Sequence, residues 1–162
     1  MTPTLQEEIR QSKPFASLQQ EVLLNIARTA AVLGHRMEQQ FRPFGLTATQ
    51  YNVLRIIAGA GPEGISQCDI AGRLVAETPD VPRLLKRTET AGLIRRSANP
   101  ADKRVLRVHL TSAGSRLLQQ IGAEVDTMTG DFFPNLSKTQ LRALNELLNA
   151  SRELDTPAES SD

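Results

Sequence analysis

Apolar positions follow a helical period along most of this chain and a period of two in one place. Leu18, Val22, Ile26, Leu33, Met37 and Phe41 recur at spacings that keep one helix face apolar. They predict a long helix, ended by Pro43 and Gly45. Gly34 lies in its middle, where it costs about 1 kcal/mol against Ala and suits a kink or a close helix crossing. Thr47 opens a second helix with Tyr51, Leu54 and Ile57 inward, and the turn GAGPEG (59–64) closes it. Ser66 caps a short helix bearing Ile70, Ala71 and Leu74. The next helix falls within 79–91 and stops at Gly92, a natural left-handed C-terminal residue.

Two strands come next. Leu93 and Ile94 open the first, and in the second Leu106, Val108 and Leu110 alternate with Val105, Arg107 and His109. That alternation marks a half-buried strand, and SANPADK between the two is turn chemistry. Thr111 caps a long helix carrying Leu117, Ile121, Val125, Met128 and Phe132, ended by Pro134. Ser137 caps a last helix with Leu141, Leu144, Leu148 and Leu154.

The order predicts a mainly α fold with a small β-hairpin wing, a winged helix-turn-helix at residues 47–110. Helices 15–42 and 111–154 flank it, and their apolar stripes exceed what a small winged unit could cover. They are expected to pair with the same helices of a second chain, through Leu18, Val22, Leu141, Leu144 and Leu148. Residues 15–154 read as a single domain. Residues 1–14 read as an arm, helical from Leu5 to Gln11 before Pro14, and 155–162 as a disordered acidic tail.

The net charge of the 162-residue chain, +1, hides its distribution. Between Arg73 and Arg107 lie nine basic and four acidic residues, a local +5, so the remainder carries −4. A basic centre within acidic flanks suits a polyanion-binding surface on a scaffold that does not itself adhere to nucleic acid. The single cysteine, Cys68, excludes an internal disulfide framework and reads as a buried structural residue. No apolar run approaches the roughly 20 residues of a membrane span. The N-terminus lacks a signal peptide's apolar stretch, and the cytoplasm is the expected location.

The chemistry concentrates in TPDVPRLLKRTETAG and in the hairpin after it. On that helix Val81, Leu84, Leu85 and Thr88 share one side, while Arg83, Lys86, Arg87 and Thr90 share the other. Such a helix suits a DNA major groove, arginine reaching guanine edges and lysine reaching phosphates. At the hairpin tip, Asp102 and Arg104 flank Lys103; the carboxylate is placed to orient the guanidinium toward a minor groove. Arg73, Arg95, Lys103 and the helix N-termini, with Ser66, Gln67, Pro79 and Asp80, complete the expected DNA surface. No nucleophile–base pair, metal-ligand spacing or phosphate loop is present: Cys68, His35 and His109 are scattered, and no Lys-Ser or Lys-Thr follows Gly64. Neither enzyme chemistry nor a metal or cofactor is expected.

GLIRR, PADKR and VHLTSAG resemble the GLVxR…PxDRR…VxLTxxG signature of the MarR family of bacterial transcription regulators, and the likeness extends over residues 16–153. The resemblance implies a homodimer on a pseudo-palindromic operator, released by a small, often phenolic or aromatic, effector. It implies residues 79–87 as recognition helix, Arg104 as the minor-groove residue and Asp102 as its orienting partner. Pro82 stands where the family commonly has Thr, so the helix either begins late with Asp80 as cap or has a distorted first turn. Lys86 replaces a frequent acid, and Thr88 a usual Leu. A helix that has lost its DNA role would leave a second reading, a winged-helix module for protein interaction.

Overall fold

The computed structural model of the chain describes residues 3–98 and 106–153, the side chains of 125–128 excepted. The expected wing tip with Asp102, Lys103 and Arg104, and also Val105, Val125, Met128, Leu154 and the tail 155–162, lie outside what is described. The chain divides into two compact units, Met1–Val125 and Asp126–Asp162.

The first unit opens with α1 (Leu5–Glu8) and α2 (Leu18–Phe41), followed by a 3-10 turn at Arg42–Phe44. It continues with α3 (Ala48–Gly59), β1 (Ile65–Ser66), α4 (Gln67–Arg73), α5 (Val81–Thr90), β2 (Ile94–Ala98) and β3 (Leu106–Leu110). Helix α6 (Ser112–Gly130) begins in this unit, and α7 (Lys138–Ala150) lies in the second. The three strands form one antiparallel sheet in the order β1-β3-β2, with Ile65 opposite Val108 and Ile94 opposite Leu110.

Local chemistry explains the boundaries. Ser17 caps α2, and Thr47 caps α3 in a reciprocal box with Gln50. Arg42–Phe44 ends at Gly45, in the left-handed region at φ 68°. The apolar face of α3 supplies Val53, Leu54 and Ile57, all buried, to a core shared with Ile65, Ile70, Leu85, Ile94 and Val108. Gly64 is required twice over, since its φ is +68° and an added Cβ would lie 2.5 Å from the His109 ring.

The start of α6 is tied to the end of α5. Thr111 N–H donates to the Leu93 carbonyl at 3.0 Å, and the Thr111 hydroxyl donates to the Gly92 carbonyl at 2.6 Å. The same hydroxyl accepts from Gly114 N–H at 3.1 Å, which makes it a helix cap. A Cβ at Gly114 would collide with the Leu93 oxygen. The Thr and Gly of VHLTSAG are thus the two residue types this junction needs.

The structure corrects several expectations. The first is β1, an added two-residue strand at which Ser66 both pairs with Arg107 and caps α4. Helix α1 stops at Glu8, one turn short of Gln11, and α6 ends at Gly130, before Phe132. Ala71 is exposed, and Leu74 is only the C-terminal cap of α4. Leu106 is half exposed, being opposite Ala98 at the last pair of the ladder, far from the core pair Ile94–Leu110. Cys68 is exposed rather than buried, because Ile70 is the residue of α4 that faces the core. Gly34 sits in an unbroken α2, and an added Cβ there would meet nothing within 4 Å among the described residues outside the helix's own backbone. No described helix is long and apolar enough to cross a membrane.

Gly114→Ala is expected to lower stability by about 1–3 kcal/mol, since the Leu93 carbonyl must move. Gly122→Ala, in open space on the same helix, should raise it by up to about 1 kcal/mol. Denaturant midpoints of the two variants check the contrast.

Candidate nucleic-acid interface

Helix α5 spans only ten residues, and its two sides differ sharply. Val81, Leu84, Leu85 and Thr88 are buried, while Pro82, Arg83, Lys86, Arg87 and Thr90 are exposed. The helix begins at Val81, which settles the two expected openings in favour of the late start. Asp80 is its cap, accepting from Arg83 N–H at 2.9 Å, and Pro82 sits in the first turn. A proline there removes an N–H that no carbonyl of the helix needs, so the turn is intact. Pro79 and Asp80 precede the helix and are exposed.

Buried polar groups hold α5 in place. Thr88 is fully buried, and its hydroxyl donates to the Leu84 carbonyl at 2.9 Å. The Gln50 side-chain amide approaches the same hydroxyl at 3.5 Å, while its oxygen accepts from Thr47 N–H at 3.1 Å. Threonine in place of leucine therefore links α5 to α3 instead of only losing packing. The Thr47–Gln50 spacing announces the cap, but nothing local announces the second partner 38 residues on.

The strand arginines part company. Arg96 lies opposite Val108, half-buried, with Nε 3.4 Å from a Glu89 carboxylate oxygen on α5. That contact is an ion pair without hydrogen-bond geometry, worth under about 1 kcal/mol at this exposure. Arg95 lies opposite His109 and is exposed. Of the other expected DNA residues, Arg73 is exposed at the end of α4, and Ser66 and Gln67 lead that helix half-buried. The Ser66 hydroxyl is committed to Asp69, accepting from its N–H at 3.1 Å and donating to its carboxylate at 2.7 Å.

A cavity of about 460 Å³ lies between α2 and α5. His35, Glu38, Gln39 and Arg42 line it from α2 and its C-terminal end, and Arg87 from α5, with Leu46, Thr47 and Gln50 between them. Glu38 is engaged, accepting from Ala48 N–H at 3.0 Å. Arg83, Lys86 and Arg87 have no side-chain ion pair among the described residues. No group of three His, Cys, Asp or Glu suited to a metal exists among those residues either. Three uncompensated cations on a rigid, capped helix are what a polyanion groove takes up.

The expected dimer residues fall on both units. Leu18 and Val22 of α2 are 71% and 47% exposed. Leu141 and Leu148 of α7 are half-buried within the second unit, and Leu144 is exposed.

Comparisons with known proteins identify relatives of the chain. Residues 46–106 match the model of the MarR family. The transcriptional regulator FarR of Neisseria gonorrhoeae is 31% identical over 113 residues, spanning 67% of this chain and 76% of FarR. A solved MarR transcription factor from Planctomyces limnophilus is 35% identical, with a TM-score of 0.64 over 85% of this chain and 99% of the other. BpsR of Bordetella bronchiseptica, whose DNA binding is regulated by 6-hydroxynicotinic acid, shares the fold at 23% identity. Its TM-score is 0.76, over 88% of this chain and 100% of the other.

Asp80 offers a test of the cap and of the charge separately. Asp80→Asn keeps a good cap and removes an anion, so stability should hold within about 0.5 kcal/mol while affinity for duplex DNA rises at low salt. Asp80→Ala should cost about 1 kcal/mol of stability. Thermal unfolding and fluorescence anisotropy with a labelled duplex measure the two effects.

Proposed function

The chain belongs to the MarR family of transcription regulators, and on that premise we propose that it is a homodimeric repressor, read out by a small aromatic effector. The family's members are regulators of transcription and not enzymes. The observation that carries the reading is the unpaired cationic face of α5, held on a capped, core-anchored helix. In the proposed complex each chain lays α5 in a major groove, and Arg104 of the wing enters the minor groove beside it, oriented by Asp102. Two such heads read a pseudo-palindromic operator whose half-sites lie about one helical turn apart. Arg73, Arg95 and Lys103 supply phosphate contacts, and bound protein excludes the polymerase in the cytoplasm.

Second copies of α2 and α7 hold the heads together. Seven large apolar residues of α2 stand 38–71% exposed, namely Leu18, Val22, Leu23, Leu24, Ile26, Val32 and Met37. A stripe of that size on a regulator of this kind is an interface.

The effector site is the cavity between α2 and α5. His35, Arg42 and Arg87 offer donors to a carboxylate or phenolate, and BpsR responds to a hydroxylated aromatic acid. Arg87 belongs both to this cavity and to the exposed face of α5. An anion there competes with DNA to the extent that it binds the DNA-free state more tightly. The protein-interaction reading depended on a recognition helix disrupted at Pro82; the intact first turn of α5 removes its support.

Binding to the promoter of its own operon should weaken by about 0.9 log unit per tenfold salt for each phosphate neutralised. A flat dependence overturns the reading. Val22→Glu should yield a monomer in sedimentation that loses tight operator binding and keeps weak binding to random duplex in dilute buffer.

A further inference from the structure

We propose that Arg83 reads a guanine in each half-site, and that Pro82 beside it packs on the methyl group of a neighbouring thymine. This rests on the DNA-binding reading and adds the identity of the bases recognised.

Elimination along a single helix turn leads to these two residues. Residues at the N-terminal end of a recognition helix are the ones that reach base edges. In α5 the exposed residues at that end are Asp80, Pro82 and Arg83. Asp80 is committed to capping, through its 2.9 Å bond from Arg83 N–H. The cap holds that carboxylate against the first turn of the helix, and its charge opposes close approach to the phosphates of a groove. Pro82 has no N–H and presents only carbon to a groove. The apolar group on a major-groove edge is the thymine C5 methyl. Arg83 is exposed, and its guanidinium has no ion-pair partner among the described residues. Its planar fork matches O6 and N7 of guanine.

The rest of the helix does not compete for the role. Residues 81–90 contain neither Asn nor Gln, so no side chain is suited to the paired contact that selects adenine. Glu89 is half-buried and held by Arg96. The Thr90 hydroxyl donates to the Lys86 carbonyl at 2.9 Å. Arg87 lies one turn further on, where it lines the cavity against α2. Lys86 is a point charge suited to phosphate.

Selection of duplexes from a random pool by the full chain tests this. Aligned half-sites should share a guanine with a thymine at an adjoining step. In the selected duplex, 7-deazaguanine at that position, which lacks N7, should weaken binding about ten- to hundredfold. Inosine, which keeps N7 and O6, should change it less than about twofold, and uracil for the thymine should weaken it a few-fold. Arg83→Gln loses the fork that matches guanine and supplies the paired contact that selects adenine, so it should shift the preference from guanine to adenine while retaining weak random-duplex binding. Pro82→Ala should erase the sensitivity to uracil alone. Selected sites without a shared guanine, tolerance of 7-deazaguanine, or a preserved guanine preference in Arg83→Gln would each overturn the assignment while leaving DNA binding intact. Failure to retain any duplex in dilute buffer overturns the DNA-binding reading itself, and the assignment with it.

Discussion

Burial of Val81, Leu84, Leu85 and Thr88 against the rest of the first unit is the constraint that sets the binding surface. Each large aliphatic side chain withdrawn from water contributes about 1.5–3 kcal/mol. Once these four positions face inward, a 3.6-residue period leaves Arg83, Lys86, Arg87 and Thr90 no other direction than outward. Like charges three and four residues apart oppose the helix by only about 0.2–0.5 kcal/mol per pair. Packing therefore outweighs repulsion, and the helix keeps a cationic face whose Arg83, Lys86 and Arg87 have no ion-pair partner among the described residues.

Direction alone does not fix a helix in space; its two ends do. Asp80 closes the N-terminus, and the Thr111–Gly114 junction grips the carbonyls of Gly92 and Leu93 at the other. Between them the buried Thr88 hydroxyl donates to the Leu84 carbonyl and accepts from the Gln50 amide inside the core, where an unpaired polar group costs about 1–3 kcal/mol. A helix pinned at both ends and in the middle loses little freedom on docking, so less of its interaction with DNA is offset by ordering. The junction also ties the segment that follows α5 directly to the start of α6.

The sequence pattern disclosed the order of the helices, the hairpin and the division of α5, because each rests on a period repeated over several residues. Shorter features escaped it. Two residues cannot display a period, and β1 exists only because β3 offers Ile65 and Ser66 an edge. Exposure of Cys68 and Ala71 depends on which side of a seven-residue helix the sheet and α5 cover, and local spacing barely constrains that. Leu106 keeps its alternation but pairs with Ala98 at the end of the ladder remote from the core. At the candidate site, Asp80 as a cap was legible from the proline two residues on. The pairing of Arg96 rather than Arg95 with Glu89 was not, since adjacent arginines differ only in the register of the sheet.

Helix α2 carries the remaining step. Its 24 residues begin with Leu18, 71% exposed, and include Leu23 at 67%. Helical stability in proteins comes mostly from packing of an apolar face and not from propensity, and much of this face meets only water within one chain. In the dimer proposed above, a second chain supplies what the first unit lacks. Assembly and folding of α2 are then one equilibrium, and stability depends on protomer concentration. The two-fold axis of that proposed pairing is also what would turn one short cationic helix into a reader of two half-sites. On that proposal the apolar residues that complete the fold are the ones that set the spacing of the two heads.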